Sequence, residues 1–133
     1  MLYTLIMKYE PYYFQDVDGS EPVKDYIQKL PKSERAKTYA FIQHLGEHGP
    51  QTIRPIADSI GGKTGLYELR PKPHRYLYFF YQRNKIILLH AFEKNTQKIR
   101  QSDLDIAQER KILTERLGKI AKLEFGEGNK NET

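Results

Sequence analysis

Cysteine and tryptophan are absent from this chain, and only two methionines occur. Without thiols the protein has neither a disulfide framework nor a thiolate metal site. No apolar run approaches the ~20 residues that cross a bilayer, so no membrane span is expected. The opening MLYTLIMKYEP is briefly apolar but lacks the basic start and small-residue cleavage site of a secretory signal, which leaves the cytoplasm as the expected compartment. His44, His48, His74 and His90 have no metal-ligand spacing, and no metal site is expected. A glycine-rich phosphate loop, a P-loop and a nucleophile elbow are also missing, so no cofactor is expected.

What is present is a folded balance: 133 residues, 29% charged and 38% hydrophobic, long enough to bury a core. One domain over residues 1–125 is expected, with the polar segment 126–133 as a disordered tail. Leu2 to Tyr9 alternates loosely as a first strand, with Tyr12 to Phe14 as a competing candidate. Ser20 offers an N-cap before Glu21 and Pro22, and Val23, Tyr26, Ile27 and Leu30 follow on one helical stripe. Pro31 stops that helix. Ser33 can cap a second, striped by Thr38, Phe41, Ile42 and Leu45 and ended by Gly49 and Pro50. So short a connection predicts an antiparallel helical hairpin with one side on a sheet.

Gln51 to Thr64 reads as a linking segment. Three strands are then predicted over Leu66–Arg70, Arg75–Gln82 and Lys85–Phe92, joined by turns at Pro71–His74 and Arg83-Asn84 into an antiparallel meander. In the middle strand Tyr76, Tyr78 and Phe80 share one face and Leu77, Phe79 and Tyr81 the other. One row must be core; the second either stacks bases or is core as well, if helices cover both faces. Ser102 with Asp105 resembles a capping box for a final helix, with Ile106, Leu113, Leu117 and Ile120 along one side and Arg110 interrupting. The fold class expected is therefore α+β: an N-terminal strand and helical hairpin packed on an antiparallel β-meander, with a C-terminal helix.

Charge is concentrated on the meander. Between Gly61 and Arg100 nine Lys and Arg stand against two acids, Glu68 and Glu93, a surplus of seven in a chain whose formal net charge is +5. The rest of the chain is thus slightly acidic. A sheet that gathers positive charge is suited to phosphate. Arg70 and Arg75 flank a short turn and so should be spatial neighbours, with Lys94 and Lys98 following the last strand. Glu68 shares a strand face with Arg70.

Four segments carry a family resemblance: GLYELR (65–70), the Arg75-Tyr76 pair, LLHAF (88–92) and EKNTQKI (93–99), with Ala107 and Arg110 fitting a helix of the x-A-x-x-R type. With the order of elements they make the region Ile60 to Arg110 resemble the RelE/HigB superfamily of bacterial toxins, most closely its phage-derived HigB-like branch. Asn95 stands where that branch usually has a second Lys, and Ile99-Arg100-Gln101 replaces a frequent Thr-Pro. The resemblance implies a type II toxin that enters the ribosomal A site and cuts mRNA. It would be a metal-independent endoribonuclease neutralised by an antitoxin protein, a helix-turn-helix DNA binder from the same operon. The antitoxin would touch the basic window, the stripe Leu113, Leu117 and Ile120, or both.

RNA cleavage of this kind has the 2′-OH attack the adjacent phosphate and expel the 5′-oxygen through a phosphorane, whose extra negative charge is stabilised by fixed cations. Arg presents a planar fork to two phosphate oxygens. Arg70, Arg75 and Lys94 are the residues expected to carry this chemistry: the first two match the family's basic strand positions, and Lys94, like Lys98, matches the basic residues that follow its last core strand. Glu68 is either a base or the partner that holds Arg70. His74, at the turn beside Arg75, is a candidate proton donor, whereas His90, in an apolar run, reads as a hydrogen-bonded structural residue. Lys63, Lys72, Lys98 and Arg100 are the candidate RNA-backbone contacts. Two other readings stay open: a toxin of the ParE type acting on DNA gyrase without nuclease chemistry, and a phage-derived protein that only binds RNA or a partner.

Overall fold

One strand with no small or weakly apolar interior sets the architecture. The segment HRYLYFFY over His74–Tyr81 puts large rings and aliphatic side chains on both faces, and neither row can be left in water without cost. In the computed structural model of the protein, which describes residues 7–95 and 98–125, helices cover both. The fold is α+β, with a mixed six-stranded sheet and three helices. The strands are β1 (Glu10–Phe14), β2 (Ala57–Ser59), β3 (Tyr67–Leu69), β4 (His74–Tyr81), β5 (Lys85–Glu93) and β6 (Ile120–Lys122). The helices are α1 (Pro22–Gln28), α2 (Lys32–His48) and α3 (Gln101–Leu117).

The sheet order is β2-β3-β4-β5-β1-β6. Strands β3, β4 and β5 form the predicted antiparallel meander. β1 lies parallel to β5, and β6 closes antiparallel on β1. On one face α1 and α2 bury Val23, Ile27, Ile42 and Leu45 against Tyr13, Tyr76, Tyr78, Ile86 and Leu88. On the other, α3 sets Ala107 against Phe14, Leu77, Phe79, Ile87 and Leu89. Both aromatic rows are therefore core, and neither is a platform for bases.

Several local expectations need correction. The first strand is the Tyr12–Phe14 candidate, extended to Glu10; of Leu2–Tyr9 only residues 7–9 are described, and they are not strand. The tail 126–133 lies outside the described residues. The linking segment contains β2, and β6 follows α3, so two edge strands were not anticipated. Ser20, Ser33 and Ser102 are not the caps: Glu21, Pro31 and Arg100 occupy those positions, none with a side-chain capping bond. The buried positions of α3 are Ala107 and Thr114, with Leu104 and Leu113 at the margins and Leu117 52% exposed. A small residue at the contact lets that helix lie close to the sheet, so the large apolar residues fall to its flanks.

Two backbone features fix side-chain positions. The β4–β5 pairing skips a residue, since Leu77 pairs with His90 while Tyr78 pairs with Leu88. This bulge turns Leu89 and His90 toward the same face, Leu89 into the core under α3 and His90 onto Asp103 of that helix. Gly49 ends α2 with φ of 54° and an N–H to the Leu45 carbonyl, and the Tyr9 ring lies where a Cβ on Gly49 would sit. No helix among the described residues is long and apolar enough to cross a membrane.

Candidate functional site

Alternation along β3 and β4 sends Glu68, Arg70 and Arg75 to the α3 face, because Glu68 pairs with Leu77, a residue of the core on that side. The turn after β3 brings Arg75 back beside Glu68, and Lys94 follows the end of β5. Three cations converge on one carboxylate. Arg70 Nε donates to Glu68 Oε1 at 3.0 Å. Arg75 Nε lies 3.1 Å from Glu68 Oε2 and Lys94 Nζ 3.9 Å from the same oxygen. The Glu68 side chain is only 4% exposed, against 11% for Arg75, 13% for Lys94 and 27% for Arg70.

Geometry within the cluster is incomplete. Although Arg75 Nε and Glu68 Oε2 are close, the N–H is not aimed at the oxygen, and both buried atoms lack a hydrogen bond. Leaving a buried polar atom unpaired costs about 1–3 kcal/mol, a cost that sites of chemistry often carry. Arg75 makes its hydrogen bond through Nη1, to the His74 carbonyl at 3.1 Å.

A second carboxylate steadies the outer side. Asp58 of β2 is 3.5 Å from Arg70 Nη2 and accepts from Arg54 Nε at 2.7 Å; the Arg54 hydrogen bond is the main reason its carboxyl is held below the ordinary range. The cluster opens into a cleft of about 320 Å³ with Glu68, Arg70 and Lys94 in its lining, Lys98 on the rim, and Ile60, Ile99 and Leu104 forming an apolar wall.

The predicted residues separate into two groups. Arg70, Arg75, Lys94 and Glu68 come together, and Lys98 lines the same cleft. Arg100, exposed at the start of α3, shares a neighbouring hollow with Phe92, Lys94, Lys98 and Asp103. Lys63 and Lys72 are exposed on loops, and neither lines the cleft. The Lys72 carbonyl accepts from Lys37 Nζ at 3.1 Å.

His74, a candidate proton donor from its position beside Arg75, faces away from the cleft. It is 4% exposed and points to the helical hairpin, with Nδ1 2.7 Å from Tyr26 Oη and Nε2 2.5 Å from Glu34 Oε1. Consecutive residues of a strand point to opposite faces, so Arg75 and His74 cannot both reach the cleft. Burial, and then the charges of Glu93 and Glu34, push the Tyr26 hydroxyl up to about 12, so it keeps its proton. A carboxylate accepts from Nε2–H, and in the neutral imidazole Nδ1 then accepts from the Tyr26 hydroxyl.

Asp58 and the His90–Asp103 pair were not anticipated as neighbours of the site. A three-residue strand has no period to reveal Asp58, and the bulge that aims His90 leaves no mark in the sequence. His90 Nε2 lies 2.7 Å from Asp103 Oδ1, and its ring stacks on Phe92 with centroids 5.5 Å apart. Burial holds the imidazole below its ordinary pKa, against the opposite pull of Asp103. Arg110 is structural: Nη1 donates to the Leu89 carbonyl at the bulge at 2.9 Å, and the guanidinium lies over Phe14. No group of three or more His, Asp or Glu is placed to hold a metal among the described residues.

Comparison with known families adds one match, and no curated protein matches the chain. The phage-derived protein Gp49-like (DUF891) model matches residues 25–111. That span takes in the end of α1, all of α2 and of β2 to β5, the residues Glu68, Arg70, Arg75 and Lys94, and most of α3. Covering well over half of the sequence and the whole cation cluster, the match shows that the chain belongs to the Gp49-like family of phage-derived proteins, a family of RelE/toxin-like proteins.

Proposed function

We propose that the protein is a toxin of the RelE/HigB type, a ribosome-dependent mRNA endonuclease held in check by a cognate antitoxin. The observation that carries this reading is the convergence of Arg70, Arg75 and Lys94 on the nearly buried Glu68 at the floor of an open cleft. A phosphodiester that enters the cleft competes with the carboxylate for the same cations. Two planar guanidinium groups and an ammonium then face the oxygens of the phosphorane, where fixed charge lowers the barrier most.

Bond changes follow from that placement. The 2′-oxygen forms its bond to phosphorus as the P–O5′ bond breaks, leaving a cyclic phosphate and a free 5′-hydroxyl. Glu68 Oε2, which has no hydrogen bond, is the acceptor available for the 2′-OH proton. Lys94, whose ammonium is 3.9 Å from that oxygen, is the donor for the leaving 5′-oxygen, since guanidinium groups do not give up protons in proteins. Lys98 on the rim holds the neighbouring backbone. An antitoxin with acidic side chains fits the same basic surface.

Brief induction in cells, followed by mapping of mRNA 5′ ends, tests this reading. Discrete new ends within translated codons are expected, and Arg70→Ala should abolish them. Growth arrest with no new ends would overturn the nuclease reading and favour a target such as DNA gyrase.

A further inference from the structure

We infer that His74 is a positioning residue for the cation cluster, acting from the opposite face of the sheet through a Tyr26–His74–Glu34 clamp. Arg75 is held in an arrangement it would not choose. Its Nε is buried 3.1 Å from Glu68 Oε2 with neither atom hydrogen-bonded. The guanidinium hangs from the second residue of β4, so whatever holds the backbone there also sets how it meets the carboxylate.

The clamp does so from three sides. Tyr26 of α1 and Glu34 of α2 grip the two ring nitrogens of His74, and the Tyr26 ring meets both His74 and Tyr76 edge-on, at 5.5 and 5.9 Å. The His74 amide donates to the Pro71 carbonyl at 2.9 Å, which closes the turn. The His74 carbonyl, fixed by the same residue, takes the Arg75 Nη1 hydrogen bond at 3.1 Å.

Lys94 depends on the same segment. Its amide donates to the Pro73 carbonyl at 3.0 Å, and His74 pairs with Glu93 in the ladder. The ammonium carrier and the guanidinium carrier therefore hang from one short stretch, Pro71 to His74, that the helical hairpin pins in place. Lys37 of α2 adds a further tie at the Lys72 carbonyl. The hairpin is thus part of the site's scaffold although none of its residues lines the cleft.

Amide exchange and side-chain NMR of the labelled full chain test the placement, and RNA cleavage tests its consequence, which rests on the nuclease reading. In His74→Leu the Lys94 amide should exchange roughly tenfold faster, and the Arg75 Nε–Hε resonance should move away from its wild-type position. His74→Gln, which can still donate to Glu34, should restore part of both. Cleavage at saturating RNA should fall, by roughly 10²-fold in kcat, with KM little changed.

Wild-type Lys94 and Arg75 signals in folded His74→Leu would overturn the inference. If that variant does not fold, the same two signals are read in Tyr26→Phe combined with Glu34→Gln, and wild-type positions there overturn it equally. Shifted signals in a protein that cuts no RNA, wild type included, would leave the clamp standing and remove the nuclease reading alone.

Discussion

Glu68→Gln is the substitution with the widest consequences, because one carboxylate holds three cations. The change keeps the shape and one acceptor for Arg70 but removes the charge facing Arg75 and Lys94, whose side chains are only 11% and 13% exposed. Breaking a fully buried pair costs about 3–5 kcal/mol, whereas exposed pairs are worth about 0–1 kcal/mol. Arg70 is 27% exposed and has Asp58 at 3.5 Å as a second anion, so an intermediate loss of about 2–3 kcal/mol is expected. At this chain length that corresponds to a fall in Tm of about 10 °C. The variant should also bind anions more tightly, because the internal competitor for the cations has gone. Differential scanning fluorimetry in a phosphate titration reads both effects: the variant's Tm should start lower and climb further than the wild type's. A variant with wild-type Tm, or one whose Tm responds to phosphate no more than the wild type's, would show that Glu68 does not hold the cluster together.

Other outcomes follow from features away from that carboxylate. Gly49→Ala should destabilise by about 2–4 kcal/mol, read from urea unfolding, because it adds a left-handed penalty to a clash with the Tyr9 ring. His90 has a folded-state pKa below its unfolded value, so the unfolded chain binds the proton first. Stability from this residue is full above about pH 6.5 and is lost as pH falls through the folded value. Tm measured against pH in His90→Asn should accordingly be flatter than wild type in that window, and an unchanged slope would contradict the assignment. Binding of a short single-stranded RNA should weaken with salt, with a log–log slope of about 0.7 for each phosphate neutralised; a flat response would point to an apolar interface.

The meander was legible because its signals are local: alternating aromatic and β-branched residues set off by Pro71–Pro73 and Arg83-Asn84 turns. The helical hairpin was legible for the same reason, through its stripes at Val23, Ile27, Ile42 and Leu45. β2 and β6 were not, since three-residue strands have no period and owe their existence to the neighbours they pair with. The buried face of α3 was misjudged because a small residue, Ala107, rather than a row of large ones meets the sheet.

Within the site, the turn and strand alternation were enough to place Glu68, Arg70 and Arg75 together, whereas Lys94 was legible only through the family resemblance. Adjacency in sequence does not bring His74 into the site with Arg75, because strand alternation sends it to the other face. Lys63 and Lys72 fell outside the cleft for a related reason: a surplus of charge along a segment does not say which side of the sheet each residue occupies.

The last strand comes from the far end of the chain. β6 closes on β1 through Phe14 and Ile120, whereas the four clustered residues lie in β3 and β4 or directly after β3 and β5, and are already present by Lys94. A polypeptide released early, within the final turn of α3, would carry every charge of the cleft but leave β1 with a row of unpaired backbone groups. Open edges of that kind recruit other chains. Chains that stop there should therefore be lost to self-association, even though the whole charged cluster has been made.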